Sequence, residues 1–482
     1  MPTPLVFQFD LPESVRQGRC VPVSLATLSD AQMQQDFDRL RAVTEENPFE
    51  RLRSFPVPTA QMFFHPSFIA QIKALQMALV KASTDIVDRW FSDEAAKFTQ
   101  RMPLDSYEED LLKWIATSGV VSQYAGRQGL WRADLLLEQS AEGSINPVIC
   151  EVNARFPYNA WLYVSSLADS LKNAFDLGQV NIGTTGDYSA NEAGILGLYD
   201  QTKPLHVLMG ESWKGLDVHA VMRLYEQKTG QHARIIKPED LQLISDPTSA
   251  TGYQLFCSIP SGDNDDTKQG AERVWQVSLE INQPELRPLD PLILQELARI
   301  CVNDFRSVLL VNDQRFMAII REEIESLVER SVIDSIEAEM LRKAIVPTYL
   351  PFENSWPREV TCASKDSLIL KLTRGGEGKG HTFGHSVSHE EWDGLLKDAA
   401  NTDAQRLATT YAVQRKVLQV QFDLRGYEGR ELQKRHVVGS FNSLNGKYYG
   451  LSGMRVAQDF ILSLTPGGGG LAMMAFTNEK EE

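Results

Sequence analysis

The sequence is poor in cysteine, lacks long apolar runs and has no excess of positive charge. Five cysteines are scattered through 482 residues without a Cys-x-x-Cys pair. This usage is typical of reduced thiols in a cytosolic protein, not of a disulfide framework. The apolar runs fall short of the ~20 residues that a membrane span needs, and the first residues lack the basic and apolar regions of a secretory signal. We therefore expect a soluble cytoplasmic protein without a membrane partner.

The charge balance argues against nucleic acid as a partner. Lys and Arg together number 48 against 64 Asp and Glu, and the formal net charge is −16. A surface of that sign repels phosphate backbones, although a local basic pocket for a nucleotide remains compatible with it. Hydrophobic residues make up 43% and charged residues 23%, as in ordinary globular domains. The length predicts two to four domains and suggests an enzyme; the oligomeric state, a homodimer included, stays open.

The patterns along the chain alternate between helix and strand. Residues 28–102 are mostly helical in pattern, with apolar residues recurring at three and four positions. A strand at 205–209, a helix at 217–228 and a strand at 233–236 predict a βαβ unit, hence a parallel sheet. A further strand-then-helix unit is predicted at 307–313 and 314–330. The predicted fold class is α/β with α+β lobes.

The first group of candidate functional residues consists of two pairs, each with one residue between its members. Arg132 and Asp134 belong to one predicted strand, and Glu151 and Asn153 belong to the next, after a turn-rich connection at 138–147. Residues two apart on a strand share a face, so a hairpin brings all four together. Two carboxylates and an amide oxygen suit Mg²⁺, and arginine suits phosphate. The alternative is an ordinary cross-strand salt bridge on the surface.

The second group is a glycine-rich loop that follows a leucine-rich strand. The strand at 368–372 carries Lys371, and the loop adds further cations and glycines: Arg374, Gly375, Gly376, Gly378, Lys379 and Gly380. Glycine lets backbone N–H groups approach anionic oxygens. The spacing fits neither the phosphate loop of P-loop proteins nor the dinucleotide-binding turn. A flexible hairpin tip is the alternative interpretation.

Together and in this order, the two groups resemble the circularly permuted ATP-grasp ligases, as in eukaryotic-type glutathione synthetase and the synthetase half of glutathionylspermidine synthetase. In that family an acidic Glu-x-Asn pair precedes a lysine strand and a glycine-rich loop. Residues 411–417, Tyr-Ala-Val-Gln-Arg-Lys-Val, look like the strand that receives adenine. The matched order spans residues 132 to 417.

The resemblance implies a role for each matched position. The implied Mg²⁺ ligands are Asp134, Glu151, Asn153 and Glu377. The implied ATP contacts are Lys371, Arg374, Gly375, Gly376, Gly378, Lys379, Gln414, Lys416 and Val417. Arg132 and Arg455 are the implied basic groups for the substrate carboxylate or the phosphoryl group.

Two features depart from the family pattern, namely a longer stretch between Lys371 and Glu377 than in glutathione synthetase, and a missing lysine. The family has a second ATP-contacting lysine before the loop, whereas residues 311–315 contain none. Either Arg315 in that segment or Lys343 further along replaces this lysine, or the contact is lost. Four parts are then expected: a mainly helical region at 1–110, a metal-binding part of the ATP-grasp core at 111–200, a substrate-binding or lid lobe at 201–300, and a nucleotide-binding part at 301–482.

The implied activity is an ATP- and Mg²⁺-dependent ligase. It activates a small-molecule carboxylic acid as an acyl phosphate and condenses it with an amine, and ADP and phosphate are released. Water must be kept out, so a lid is expected at the glycine loop or at the glycine run 467–470. The alternatives are a phosphotransferase that uses the same nucleotide site, and an ATP-binding protein without turnover.

Overall fold

The structure is a computed structural model, and it describes residues 5–46, 56–140, 143–158, 160–211, 215, 217–259, 270–353, 355–374, 380–400, 410–426, 431–458 and 470–479. Its strands are β1 (Val6–Asp10), β2 (Ala60–Phe64), β3 (Leu130–Gln139), β4 (Ile145–Asn153), β5 (Ile182–Thr184), β6 (Leu205–Met209), β7 (Ala233–Ile236), β8 (Leu241–Ser245), β9 (Tyr253–Ile259), β10 (Gly270–Arg273), β11 (Val277–Glu280), β12 (Thr348–Tyr349), β13 (Leu368–Leu372), β14 (Thr382–Phe383), β15 (Tyr411–Arg415), β16 (Gln421–Arg425), β17 (Leu432–Leu444), β18 (Lys447–Leu451), β19 (Met454–Ala457), β20 (Leu471–Met473) and β21 (Ala475–Asn478).

The α-helices are α1 (Leu11–Gln17), α2 (Asp30–Glu46), α3 (Pro66–Arg89), α4 (Phe98–Arg101), α5 (Ser106–Thr117), α6 (Trp161–Ala174), α7 (Tyr188–Leu196), α8 (Val218–Thr229), α9 (Gln283–Leu286), α10 (Pro291–Ile300), α11 (Phe316–Glu329), α12 (Ser335–Ala344), α13 (Arg358–Thr361) and α14 (His389–Ala400). Local chemistry sets several of their ends. Helix α5 begins with a capping box in which Asp105 and Glu108 bond each other's backbone N–H. Helix α8 ends at Gly230 with φ at 69°, a backbone conformation that favours glycine. The mixed α/β class that the sequence predicts is confirmed.

Two antiparallel sheets frame the centre of the molecule. The larger has the order β20-β19-β17-β3-β4, with β16 and β18 also paired to β17. The smaller has the order β12-β15-β13-β14. Segments of the two meet where the backbone N–H of Val346 donates to the carbonyl of Ile149 at 3.1 Å. Residues from both sheets therefore border the same space.

The region at 201–300 contains the predicted parallel unit. Strand β6 pairs in parallel with β7 on one side and with β11 on the other, and α8 connects β6 to β7. The βαβ prediction is confirmed. A separate antiparallel sheet, in the order β10-β9-β8, follows in the same region.

The terminal regions share a further sheet with the order β1-β2-β21-β5. Strand β2 pairs in parallel with β21, which lies more than 400 positions away in the sequence. This sheet therefore joins strands from distant parts of the chain. The four predicted domains stay predictions.

The strand predicted at 307–313 is wrong. Residues Ser307–Val311 form a π-helical turn that leads towards α11. All five residues are buried, and a short apolar run that is buried on every side has no periodicity to distinguish strand from helix. In the part of the chain that the structure describes, every helix is too short or too polar to cross a bilayer.

Candidate active site between two sheets

Strands β3 and β4 form the predicted hairpin, and its register brings the two residue pairs together. Arg132 lies opposite Asn153, and Asp134 lies opposite Glu151. Residues opposite each other on antiparallel strands point to the same face. The register shifts after Asp134, because Cys150 is an extra residue on β4. At this bulge, the carbonyl of Cys150 accepts hydrogen bonds from side chains of the neighbouring sheet.

Asp134 is buried and held by two arginines. Arg132 Nε donates to Oδ1 at 3.0 Å, and Arg455 Nη2 donates to Oδ2 at 2.5 Å. Burial raises the pKa of Asp134, but the charges of Arg132 and Arg455 outweigh burial and the pKa lies below its ordinary value. The carboxylate is therefore ionised at neutral pH. Strand β19 supplies Arg455, which places both predicted basic groups beside the hairpin.

Lys371 reaches this hairpin from the smaller sheet. Its Nζ donates to the carbonyl of Cys150 at 3.4 Å and to Oε1 of Gln414 at 3.2 Å, and it lies 3.8 Å from Oε2 of Glu151. The resemblance implies that the acidic hairpin faces the glycine-rich loop, with a magnesium nucleotide between them. Strand β13, which leads into that loop, faces the hairpin through Lys371. The glycine-loop residues themselves, Gly375, Gly376, Glu377, Gly378 and Lys379, lie outside the described residues, as does most of the glycine run at 467–470.

Glu151, the second carboxylate of the site, has hydrogen-bond partners on both of its oxygens. Gln314 Nε2 donates to Oε2 at 3.0 Å, and Asn153 Nδ2 donates to Oε1 at 3.3 Å. Gln314 precedes α11 and is buried, and its own Oε1 has no hydrogen-bond partner within the described ranges. It occupies the segment where the family pattern has a lysine.

Arg315 and Lys343, the two candidates for that lysine, lie elsewhere. Arg315 is 1% exposed, and its guanidinium donates to both oxygens of Asp313 and to the carbonyl of Pro103. Lys343 extends from α12 into solvent with Nζ 3.2 Å from Glu339. Gln314 is therefore the residue of this segment whose side chain reaches the site. Contact of Arg315 with ATP stays a prediction that its placement does not favour.

Arg374 is the centre of a buried ion-pair network. Its Nη1 and Nη2 donate to the two oxygens of Glu108 at 3.0 and 2.8 Å, and Nε donates to Asp313 Oδ2 at 3.0 Å. Burial lowers the pKa of Arg374, but Asp313 and Glu108 outweigh burial and raise it. These contacts tie the end of β13 to α5 and to the turn before α11. The network fixes where the glycine loop begins.

An apolar cluster adjoins the charged group. Val148, Val346 and Val417 are buried together, with Leu136 and Cys150 packed against them. Val417 follows β15, the strand predicted to receive adenine. Apolar side chains beside a row of polar groups are the ordinary composition of a ligand site.

The other predicted residues of the adenine strand lie at different depths. Gln414 is buried and donates to Thr348 Oγ1 at 2.9 Å and to the carbonyl of Cys150 at 3.1 Å. Lys416 is half-buried, with Nζ 3.3 Å from Nδ1 of His385. Both residues stay predicted ATP contacts, and Gln414 also connects the two sheets.

The sequence reasoning missed two polar residues of β17. Ser440 lies opposite Asp134, and Asn442 lies opposite Arg132, so both share the face of the acidic pair. Asn442 is 2% exposed, and among the described residues its Oδ1 has no hydrogen-bond partner. The alternation of Gly439, Ser440, Phe441 and Asn442 carried a signal, but the partner strand is some 300 positions away in the sequence.

The residues present fit Mg²⁺ and ATP phosphates by their chemistry. The carboxylates of Asp134 and Glu151 and the amide of Asn153 lie on one face of the hairpin, and carboxylate and amide oxygens are hard ligands of the kind that Mg²⁺ takes. The unpartnered oxygen of Asn442 adds a buried acceptor that needs a partner. Lys371 supplies a cation within reach of the same group.

The aromatic residues after β4 belong largely to the core. Tyr158 and Trp161 are each 1% exposed, and the hydroxyl of Tyr158 is 2.7 Å from that of Ser278. Arg155 stacks over Phe156 at 4.5 Å. Burial and the neighbouring Arg374 lower the pKa of Arg155 to about 10. Tyr158 and Trp161 therefore belong to the packing of the core.

Comparison with known proteins agrees with this architecture. The family model described as the AnkG N-terminal domain matches residues 75–310. The chain is 33% identical over 419 residues to the ATP-grasp enzyme ankG of Aspergillus thermomutatus, and the match covers 82% of this chain and 84% of that protein. Its fold is similar to that of a glutathione synthetase-like effector (GSS30) from Globodera pallida in its apo form, with a TM-score of 0.54 and 14% identity over 94% of this chain and 98% of that one. The predicted resemblance is confirmed: the chain belongs to the family of the ATP-grasp enzyme ankG and has a glutathione synthetase-like fold.

Proposed function

We propose that the protein is an ADP-forming carboxylate–amine ligase that depends on ATP and Mg²⁺. A carboxylate oxygen of the first substrate attacks the γ-phosphorus of ATP, and ADP leaves. The nitrogen of an amine then attacks the acyl carbon, phosphate leaves, and the amine proton passes to solvent. The product is an amide or peptide bond.

One observation carries the proposal more than any other. Lys371 and Glu151 come from separate sheets and are 220 positions apart, yet their charged atoms lie 3.8 Å apart. A cation, two carboxylates and an amide in one place are what phosphoryl transfer requires, because its catalysis is positioning plus electrostatic stabilisation.

The metal-binding role falls to the residues of the hairpin. We assign Asp134, Glu151 and Asn153 to Mg²⁺, which when bound neutralises charge on the phosphate oxygens. Gln314 orients Glu151 by donating to Oε2 at 3.0 Å. The predicted further ligand Glu377 lies outside the described residues.

Two arginines are assigned to the substrate side of the site. Arg132 and Arg455 each hold one oxygen of Asp134. Guanidinium binds carboxylates in a bidentate manner, so both residues have the chemistry that a carboxylic acid substrate requires. We infer that they position the acid while Asp134 fixes their orientation.

ATP is assigned to the space between the two sheets. Lys371 would bind its phosphates, and the apolar cluster of Val148, Val346 and Val417 would contact adenine beside the backbone of β15. We propose this placement because a cation and an apolar cluster lie next to each other there, and a nucleotide likewise has charged phosphates and an apolar base.

The test is an ADP-release screen over pooled carboxylic acids and amines, with mass detection of condensed products. Hydroxylamine added in place of the amine traps an acyl phosphate as a hydroxamate. The proposal expects ADP release that requires an acid, and a hydroxamate of that acid. A stable phosphorylated product without condensation would instead identify a phosphotransferase. ATP binding without ADP release under any pool would identify a non-catalytic binding protein.

A further inference from the structure

A second group of side chains with metal-binding chemistry lies in the region at 201–300, apart from the hairpin site. His206 is on β6, His232 directly precedes β7, Cys257 is on β9 and Glu272 is on β10. One ligand atom from each of His206, Cys257 and Glu272 lies within 4.8 Å of the other two. Cys257 and Glu272 are opposite each other in the β9–β10 ladder, so their side chains share one face.

His206 is the most unusual member of this group. Its side chain is fully buried, and within the described residues neither ring nitrogen has a hydrogen-bond partner. Its Nε2 lies 3.5 Å from Oε1 of Glu272, without the geometry of a hydrogen bond. Buried polar atoms that lack a partner are uncommon, and each one calls for a ligand or another explanation.

Glu272 is oriented so that one of its carboxylate oxygens faces the histidines of the group. Its Oε1 faces His206 and contacts Nε2 of His232, while its Oε2 lies 3.2 Å from Nε of Arg234. An ion pair on one oxygen leaves the other to act as a single-atom ligand. Partners of this kind, which hold a ligand without touching the metal, are the rule at metal sites.

We propose that His206, Cys257 and Glu272 bind a Zn²⁺ ion, with His232 as the fourth ligand. Zinc accepts nitrogen, sulfur and oxygen ligands in a tetrahedral arrangement, whereas Mg²⁺ prefers oxygen alone. Four protein ligands leave no open position, which is typical of a structural site. This ion would tie the parallel sheet of β6 and β7 to the antiparallel sheet of β9 and β10. The proposal does not depend on the ligase activity.

Metal content and cobalt substitution test the proposal on the full chain. The protein is stripped with a chelator, reloaded with zinc and desalted, and zinc is measured by mass spectrometry. About one zinc per chain is expected at saturation. Cobalt in place of zinc should give a thiolate-to-metal charge-transfer band together with the intense visible bands of a four-coordinate ion.

The variants separate the site from a general effect of thiol loss. Cys257→Ser should abolish the charge-transfer band and His206→Asn should abolish stoichiometric zinc. Cys301→Ser is the matched control, because Cys301 is also buried but donates to the carbonyl of Asn303 instead. Since serine in the core lowers stability by itself, the response of the unfolding temperature to zinc is compared rather than its absolute value. Zinc should raise it in wild type and in Cys301→Ser, but not in Cys257→Ser.

Two results would overturn the proposal. Wild-type protein that retains no stoichiometric zinc and shows no thiolate-to-cobalt band would leave only a buried histidine–glutamate contact. Equal zinc content in wild type, Cys257→Ser and His206→Asn would place the metal elsewhere. A His232→Ala protein that binds zinc as tightly as wild type would refute His232 as the fourth ligand.

Discussion

Glu151 shows at the scale of a single residue how the site is built. Its two oxygens accept from Gln314 and Asn153, and Lys371 lies 3.8 Å away. Each of these contacts comes from a different element, namely the turn before α11, β4 and β13. A change at Glu151 therefore affects the site directly, while β4 keeps its place in the sheet through backbone hydrogen bonds.

Glu151→Gln should lower kcat/KM by about 100-fold or more, because it removes a charge from the proposed metal site. The melting temperature should stay close to that of wild type, since the amide keeps the shape and a hydrogen-bonding oxygen. Initial rates of ADP release and thermal unfolding check both expectations.

Glu109→Gln is the control for that variant. Glu109 also pairs with a lysine, Lys113, but on the outer face of α5 at 2.8 Å, and its loss should leave turnover unchanged. A Glu151→Gln protein that turns over at the wild-type rate would reject the metal assignment.

At the scale of elements, the buried ion pairs of Arg374 join three segments. Arg374→Met leaves the fully buried Glu108 with an uncompensated charge, whereas Asp313 keeps its ion pair with Arg315. We expect a loss of about 3–5 kcal/mol in the free energy of unfolding, measured by urea denaturation. Arg342→Met, which breaks an exposed pair with Glu325, should have a much smaller effect, because exposed ion pairs contribute little to stability. Equal effects of the two changes would contradict a structural role for the Arg374 network.

Asp217 predicts a pH dependence for the packing of α6 and α8. Its Oδ2 accepts from the backbone N–H of Leu162 at 3.2 Å, and burial raises its pKa to about 7 against the backbone hydrogen bonds that lower it. The folded pKa thus lies above the unfolded value of about 4. Between those values the native state binds more protons than the unfolded state, so this group makes stability fall as pH rises from about 4 to about 7.

Asp217→Asn should remove that contribution, because the amide does not titrate. Urea denaturation at about pH 5.5 and pH 8 should show a smaller loss of stability with rising pH in the variant than in wild type. Asp423→Asn, on the exposed side of β16, should behave like wild type. The same slope for Asp217→Asn and wild type would contradict the raised pKa.

At the scale of the whole molecule, the sequence predicted the parts whose signal is local. The β3–β4 hairpin followed from residues spaced two apart and a turn-rich connection, and the βαβ unit of β6, α8 and β7 followed from periodicity and Gly230. The strand predicted at 307–313 was wrong, because a fully buried apolar run has no periodicity that distinguishes a strand from a helix. The order of the motifs along the chain, compared with the resembled family, also indicated that Lys371 lies near the hairpin. No local sequence pattern indicates that contact.

The remaining features of the candidate site could not be predicted from the sequence, because they depend on the tertiary structure. Gln314 reaches Glu151 while its neighbour Arg315 turns to Asp313, and nothing in residue type distinguishes these directions beforehand. Asn442 becomes part of the site only because β17 pairs with β3 in one register. The burial of Arg374 likewise requires Glu108 and Asp313 from distant segments.

A crystal structure with Mn²⁺ and a non-hydrolysable ATP analogue tests the central claim most directly. Anomalous scattering locates the metal independently of the rest of the density. We expect one Mn²⁺ at about 2.2 Å from oxygens of Asp134, Glu151 and Asn153, the phosphates within hydrogen-bond distance of Lys371 Nζ, and adenine against Val417. A metal and nucleotide bound away from both the hairpin and β13 would contradict the account.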